Sequence, residues 1–180
     1  MQAHEIRTDR LLLRRFQAAD TEAYLELAGS RAVADTMISI PHPLPPAFAA
    51  AWLSTDTPAR FAVCDRVSGC LIGAAELRDI DSEHHQAELS FWVGQPFWGC
   101  GYALEACAAV VTFGLDRLAL NRIYAFHMAR NPASGRVLGK LGMRQEGVLR
   151  QRVCKWGQFE DVLVWAVLRD DLLPGGDQQP

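Results

Sequence analysis

One short segment of this chain, Phe97–Ala106, restricts the possible folds more than any other part of the sequence. The segment reads Phe-Trp-Gly-Cys-Gly-Tyr-Ala-Leu-Glu-Ala, follows a run typical of a β-strand, and opens the longest helical pattern in the chain. Glycine lets the backbone approach a ligand closely, and the unpaired N–H groups at a helix start favour an anion. The sequence therefore predicts a strand–turn–helix unit whose turn suits a pyrophosphate.

Other interpretations of this glycine turn differ in the residues that they require. A Rossmann dinucleotide fingerprint needs a third glycine where Leu104 stands, and a Walker loop needs Gly-Lys followed by Ser or Thr, which does not occur. A glycine-lined turn that binds nothing is the third alternative, and it stays open on this segment alone. A dinucleotide-dependent oxidoreductase is kept as one rival function, although the third glycine of its fingerprint is missing.

Apolar periodicity and turn residues divide the chain into short strands and helices. The predicted strands are 10–16, 61–64, 71–77, 87–93, 122–128, 145–153 and 159–168. The predicted helices are 20–28 with Asp20 as N-cap, 47–53, 101–118 and 131–141, and the Pro-rich segment 40–46 is a loop. Because the strands do not alternate with helices in a repeating βαβ series, we expect a mixed α/β or α+β sheet.

The composition is that of an ordinary globular protein without an excess of basic residues. Of 180 residues, 49% are hydrophobic and 22% are charged, and the formal net charge is −3, which gives no support for nucleic acid as a partner. We expect one domain over 1–173 and a disordered tail over 174–180. Neither a secretory signal nor a run near the ~18 apolar residues of a membrane span occurs, so we expect a cytoplasmic protein with no membrane partner.

Cysteine and histidine spacing predicts neither a metal site nor a disulfide framework. The cysteine count is odd, C-x-x-C and H-E-x-x-H are absent, and we expect reduced thiols. No metal is therefore predicted. Nucleophilic catalysis by Cys100 or Cys107 is disfavoured, because no histidine stands near either in the sequence and Cys107 fits a helix core.

A second segment, Asn131–Gly142, adds the pattern N-x-x-S-x-x-V-L-x-K-x-G, and a Glu-Gly pair follows at 146–147. Trp98–Ala106 matches W-G-x-G-Y-A-x-E-A, and Thr8–Arg14 matches T-D/E-R-L-x-L-R. Together these ordered motifs closely resemble the GNAT superfamily of acetyl-CoA-dependent N-acetyltransferases. The nearest branch is similar to the ribosomal-protein alanine N-acetyltransferases, and the resemblance spans residues 6–170.

This resemblance implies both a fold and a co-substrate. The implied GNAT fold is a mixed, mostly antiparallel sheet with a splayed parallel strand pair, 88–93 and 122–128, and helices on both faces. Acetyl-CoA would lie in the splay, with its pyrophosphate at the glycine turn, its pantetheine paired with β-strand backbone, and an N–H near Trp92 or Val93 facing the oxyanion. The residues implied to bind acetyl-CoA are Phe91, Trp92, Val93, Trp98, Gly99, Cys100, Gly101, Tyr102, Ala103, Asn131 and Ser134.

Three side chains are candidates for catalysis. Ser134 matches the branch's serine and is expected to hydrogen-bond the leaving sulfur, the alternative being a hydroxyl that only starts a helix. Glu88 and Glu76 are the candidate bases, with Glu88 ahead because it begins the strand that resembles the acetyl-CoA-binding strand; for each, the alternative is a solvated strand residue. The tyrosine that many GNAT enzymes use as an acid falls at Leu138, so its role must pass to another group or to water.

The expected function is transfer of an acetyl group from acetyl-CoA to a primary amine, in the first place a protein N-terminus. The amine would attack directly in a ternary complex. A small amine such as a polyamine, an aminoglycoside or an amino-acid analogue is the alternative substrate, and a non-catalytic acyl-CoA-binding regulatory module is the alternative of another class. The loop 40–46 and the turn 155–158 are expected to form the rim of the amine site, because loops carry specificity.

Overall fold

A computed structural model of the chain describes residues 5–55 and 57–172. The strands are β1 (Ile6–Arg7), β2 (Leu11–Arg14), β3 (Arg60–Asp65), β4 (Leu71–Asp81), β5 (Gln86–Val93), β6 (Arg122–Met128), β7 (Arg144–Lys155) and β8 (Gln158–Leu168). Within the described residues they form an eight-stranded sheet in the order β1-β2-β3-β4-β5-β6-β8-β7. Neighbouring strands are antiparallel except for the parallel pair β5–β6. This is the mixed, mostly antiparallel sheet that the sequence predicts.

Helices cover both faces of the sheet. They are α1 (Thr21–Ala28), α2 (Arg31–Thr36), α3 (Pro46–Ser54), α4 (Tyr102–Arg117) and α5 (Pro132–Lys140). Because side chains alternate along a strand, β5 serves two separate cores. Ala87 and Leu89 pack in the core with α4 and α5, whereas Trp92 packs in the core with α1, α2 and α3. The predicted placement of helices on both faces is confirmed.

The order of elements agrees with the sequence prediction except at two short elements, β1 and α2. β1 has two residues and α2 has six, which is too short for apolar periodicity to show. α2 nevertheless begins at a regular cap, since Ser30 Oγ accepts a hydrogen bond from Val33 N–H at 3.3 Å.

The predicted cap of α1 is wrong in one respect, because the Asp20 side chain does not cap that helix. Its carboxylate accepts two hydrogen bonds of 2.8 Å from Arg14 and one of 2.7 Å from Gln17 N–H. The planar guanidinium of arginine binds a carboxylate with two parallel bonds, which is stronger than one bond to a backbone amide. The ion pair therefore joins β2 to the start of α1.

Two sequence predictions concern the C-terminal tail and the absence of a membrane span. The predicted disordered tail, 174–180, lies outside the described residues. Among the described helices, none is long and apolar enough to cross a membrane. The longest of them, α4, has 16 residues, fewer than the roughly 20 that a span requires.

The parallel pair β5–β6 is joined at one end only. Pairing covers Gln86–Glu88 on β5 and Arg122–Tyr124 on β6, although β5 continues to Val93 and β6 to Met128. Beyond the paired residues, β5 stays bound to β4 and β6 stays bound to β8. The two strands therefore separate, which confirms the predicted splayed pair.

Candidate active site

The gap between β5 and β6 exposes unpaired backbone groups of β5. Gly94 N–H donates to Ile72 O on the β4 side at 2.9 Å, and the register of β4 and β5 is continuous along this part of the strand. Backbone groups point alternately to the two sides of a strand, so those of Leu89, Phe91 and Val93 point away from β4. The bridge between Glu88 and Tyr124 uses the Leu89 N–H, and Trp98 occupies Val93 O. The N–H groups of Phe91 and Val93 and the C=O groups of Leu89 and Phe91 therefore face the gap. An extended molecule in the gap can pair with them as an added strand.

The turn between β5 and α4 has the conformation that its glycines predict. Gly99 (φ 78°) and Gly101 (φ 80°) both lie in the left-handed region, which favours glycine. No acceptor within the described residues takes the amide N–H groups of 99–104, which lead into the first turn of α4. Trp98 Nε1–H donates to Val93 O at 2.6 Å and fastens the turn to the end of β5. These free N–H groups, at the positive end of a helix, suit an anionic phosphate.

An ion pair that the sequence analysis missed holds this turn in place. Glu105, in the first turn of α4, accepts hydrogen bonds from Thr8 Oγ1 at 2.6 Å and from Arg10 N–H at 2.9 Å. The Arg10 guanidinium binds the same carboxylate at 2.7 Å and donates to Cys100 O at 2.9 Å. Burial raises the pKa of Glu105, but these hydrogen bonds outweigh burial and hold the pKa below its ordinary value. All three residues belong to the two motifs of the family resemblance, which is the signal that could have revealed them.

Two adjoining spaces open beside the unpaired part of β5. The β5–β6 cleft is lined by Thr36, Met37, Ile38, Ser39, Arg78, Glu88, Leu89, Ser90, Phe91, Phe126, His127 and Ser134. The aromatic pocket is lined by Tyr24, Met37, Ser39, Ile40, Phe48, Trp52, Ala74, Glu76, Arg78, Ser90, Phe91 and Trp92. Because several residues line both spaces, the cleft and the pocket are contiguous.

Asn131 caps α5 and orients Ser134 at the same time. Asn131 Oδ1 accepts a hydrogen bond from Ser134 N–H at 3.4 Å, and Asn131 Nδ2 donates to Ser134 Oγ at 3.0 Å. Asn131 is thus the N-cap of α5. Since Ser134 Oγ accepts the bond from Asn131, its hydroxyl hydrogen can donate to a molecule in the β5–β6 cleft.

The two candidate carboxylates are buried and ion-paired, so neither is the solvated strand residue that the sequence left open. Glu88 is 7% exposed, lines the β5–β6 cleft, and binds Arg78 on the neighbouring strand. Glu76 is 6% exposed, lines the aromatic pocket, and accepts a hydrogen bond of 2.6 Å from Arg60 Nε. If either carboxylate takes up a proton, it loses its negative charge and its ion pair with arginine is weakened.

His127 is a titratable residue of the cleft that the sequence analysis did not single out. Its Nε2 accepts a hydrogen bond from Trp165 Nε1–H at 3.0 Å, and its Nδ1 lies 2.9 Å from Met128 O. A neutral ring with its proton on Nδ1 satisfies both contacts, and burial lowers the pKa of His127. Both ring nitrogens are engaged, so His127 is not available as a base. A Cβ at Gly135 would stand 3.0 Å from His127 Nε2, which explains the glycine there.

Three residues considered for other chemistry are either buried in the core or bonded within the glycine turn. Leu138, where many GNAT enzymes carry tyrosine, is 1% exposed and packs in the core. Cys107 is buried in the same core, and burial raises the pKa of its thiol. Cys100 is exposed, with Sγ 3.7 Å from Trp98 O. Across the part of the chain that the structure describes, no three His, Cys, Asp or Glu side chains form a metal-binding group.

The loop wall of the two spaces differs in part from the predicted rim. It comes from 36–40, so only the first residue of the predicted loop 40–46 contributes. Lys155 Nζ donates to Ile40 O at 2.7 Å, and Trp156 Nε1–H donates to Asp35 at 2.7 Å. The turn at 155–158 thus supports this wall.

Comparisons with known proteins agree with this arrangement. The family model described as an acetyltransferase (GNAT) domain matches residues 10–144. The uncharacterized N-acetyltransferase YoaA of Bacillus subtilis (strain 168) is 30% identical over 171 residues, which cover 91% of this chain and 96% of that protein. The ribosomal protein uS5-alanine N-acetyltransferase of Escherichia coli (strain K12) is 29% identical over 106 residues, which cover 58% of this chain and 55% of that protein.

Solved structures show the same fold. The acetyltransferase (GNAT family) from Bacillus anthracis superposes with a TM-score of 0.83 at 25% identity, covering 92% of this chain and 98% of that chain. Four observations support one family assignment: the family match, the near full-length relative, the splayed strands, and the free N–H groups at the glycine turn. The chain belongs to the GNAT family of acetyl-CoA-dependent N-acetyltransferases.

Proposed function

We propose that this chain transfers the acetyl group of acetyl-CoA to the primary amine of a protein N-terminus, by direct attack of the amine in a ternary complex. The observation that carries the proposal is the path of unpaired N–H groups that runs from Phe91 and Val93 on β5 to the amides of 99–104. A strand edge suits an extended pantetheine arm, and the start of α4 suits a pyrophosphate.

The residues present fit acetyl-CoA, which supplies the thioester for the reaction. Backbone N–H groups of Gly99–Ala103 would hold the pyrophosphate, whereas the Trp98 N–H already donates to Gln95 O at 3.2 Å. Asn131 keeps the start of α5 in place beside the cleft. The oxyanion donor is the N–H of Phe91 or Val93. Trp92 is less suited, because its backbone N–H is directed to β4. One such donor contributes roughly 10²–10³ in rate.

Proton transfer falls to side chains that line the β5–β6 cleft. The attacking amine must be neutral, and Glu88 accepts its proton through a water molecule, since Arg78 already occupies one side of the carboxylate. Glu76 is the second candidate base, because it lines the neighbouring pocket rather than the cleft. The Ser134 hydroxyl donates a hydrogen bond to the leaving sulfur, and the proton that the nitrogen loses when the amide forms ends on this sulfur.

Support for a protein N-terminus comes from the Escherichia coli relative, whose name gives alanine of ribosomal protein uS5 as its substrate. The test measures acetylation of a panel of N-terminal peptides, polyamines, aminoglycosides and amino acids. The rate of each reaction is measured as release of the CoA thiol. We expect the highest kcat/KM with a peptide. If a small amine is turned over faster, that class of amine is the substrate rather than a protein N-terminus. Binding of acetyl-CoA without turnover of any amine would indicate a regulatory module.

A further inference from the structure

The aromatic pocket restricts which amines can enter the β5–β6 cleft. Tyr24 stacks on Trp52 with ring centroids 4.9 Å apart and meets Trp92 edge-on at 5.7 Å. Arg78 and Phe91 line both the pocket and the cleft. One substrate can therefore place its amine in the cleft and an apolar group among the aromatic rings.

The charges around the two spaces are balanced. Arg60 binds Glu76 at 2.6 Å and lies over the Trp52 ring at 4.2 Å, and Arg78 binds Glu88. Both carboxylates among the described lining residues thus have an arginine partner. A polyamine carries several positive charges and needs carboxylates beyond those already paired. The lining therefore disfavours a polyamine.

Two buried N–H donors at the pocket have no partner within the described residues. They are Trp92 Nε1 and Arg78 Nε, and Trp92 is only 5% exposed. Buried donors in native proteins are nearly always paired, and neither of these groups can act as an acceptor. The missing partner is therefore a hydrogen-bond acceptor, for which a carbonyl or carboxylate oxygen is suited.

We infer that the amine substrate is an α-amino acyl compound with an apolar side chain. Its α-amine lies in the β5–β6 cleft, the oxygen of its neighbouring carbonyl or carboxylate group accepts hydrogen bonds from Arg78 and Trp92, and its side chain fills the aromatic pocket. A peptide with an apolar first residue and a free apolar amino acid share this chemistry. The inference rests on the proposed function and narrows the substrate class.

The first test compares amines that differ only in the carbonyl group. At saturating acetyl-CoA, kcat/KM is measured for a peptide amide that begins with leucine, for free leucine, and for 3-methylbutylamine, which is leucine without its carboxylate. Each value is expressed per neutral amine, which removes differences in amine basicity. We expect the carbonyl-free amine to react at least about tenfold more slowly than the better leucine compound, because it leaves both donors unpaired. The peptide and free leucine separate the two sources of the oxygen.

The second test removes one donor from the protein. Trp92→Phe keeps an aromatic ring but deletes Nε1–H. Trp52→Phe is the matched control, because Trp52 lines the same pocket and its Nε1 is not one of the buried unpaired donors of the described residues. We expect Trp92→Phe to lower kcat/KM for the leucine compound at least about fivefold more than for the carbonyl-free amine. Trp52→Phe should change both amines alike.

Several results would overturn this inference. They are equal turnover of the leucine compounds and 3-methylbutylamine by the wild type, an equal loss for both amines in Trp92→Phe, or a preference for spermidine. Those outcomes leave acetyl transfer itself intact. If no amine is acetylated although acetyl-CoA binds, the proposed function fails and the inference fails with it.

Discussion

Replacing Gly101 with glutamate tests whether the turn before α4 holds the pyrophosphate. Gly101 has φ 80°, and a Cβ there would stand 3.5 Å from Arg10 Nη2, so there is room for a side chain. The substitution therefore adds backbone strain and a negative charge beside the free amides of 99–104. The left-handed conformation costs a non-glycine residue about 1–2 kcal/mol of folding free energy.

The effect on affinity follows from the added charge. Two like charges about 4 Å apart repel by roughly 1 kcal/mol in water and roughly 4 kcal/mol at an effective dielectric constant of about 20. We therefore expect the affinity for acetyl-CoA to fall by at least about tenfold, or about 1.4 kcal/mol, when it is measured by calorimetry.

Gly69→Glu is the matched control for this substitution. Gly69 lies in the β3–β4 turn with φ 74°, and an added Cβ there would have no atom of the described residues within 4 Å, so the variant carries the same charge and a similar backbone strain. Both variants should lose a similar free energy of unfolding, but only Gly101→Glu should bind acetyl-CoA more weakly. A folded Gly101→Glu protein with wild-type affinity, or an equal loss in Gly69→Glu, would refute the assignment of the turn.

The remaining predictions concern proton transfer and the anchor of the turn. Ser134→Ala should lower kcat more than it raises the KM for acetyl-CoA, and an unchanged kcat at several pH values, with chemistry rate-limiting, would reduce Ser134 to a helix-start hydroxyl. Glu88→Gln should lower kcat/KM by up to roughly 10²–10⁴-fold near neutral pH and by less at high pH, whereas Glu76→Gln should have a smaller effect. If the pH–rate profile of Glu88→Gln overlays that of the wild type, bulk water is the base. Because the folded-state pKa of Glu105 is lowered, its contribution to stability is present above the unfolded pKa and lost as pH falls through the folded pKa. The difference in free energy of unfolding between wild type and Glu105→Gln should shrink over that range, and a difference independent of pH would contradict this account.

The strands and helices that the sequence predicted are those whose side-chain pattern repeats over several residues. The alternation along β5 placed Glu88, Ser90 and Trp92 on one face, and the two cores confirm that arrangement. β1 and α2 were missed because pairing and packing, rather than a local pattern, make them regular. Asp20 was misread because the competing partner, Arg14, lies on a different element.

In the candidate site, too, only the features that depend on local sequence could be predicted. The glycine pair located the turn before α4, since the left-handed conformation is a property of the residues themselves. The ion pairs of the site join residues far apart in the chain, such as Glu105 with Arg10 and Glu76 with Arg60, and no local pattern encodes them. The same is true of the two contacts that engage His127.

The most direct test of the central claim is hydrogen exchange of the backbone amides with and without acetyl-CoA. The amides of 99–104 have no acceptor within the described residues, and those of Phe91 and Val93 are directed to the gap between β5 and β6. If acetyl-CoA binds along this path, its addition should slow exchange in the segments that contain these two sets of amides. Saturating acetyl-CoA that leaves exchange in both segments unchanged would contradict the account.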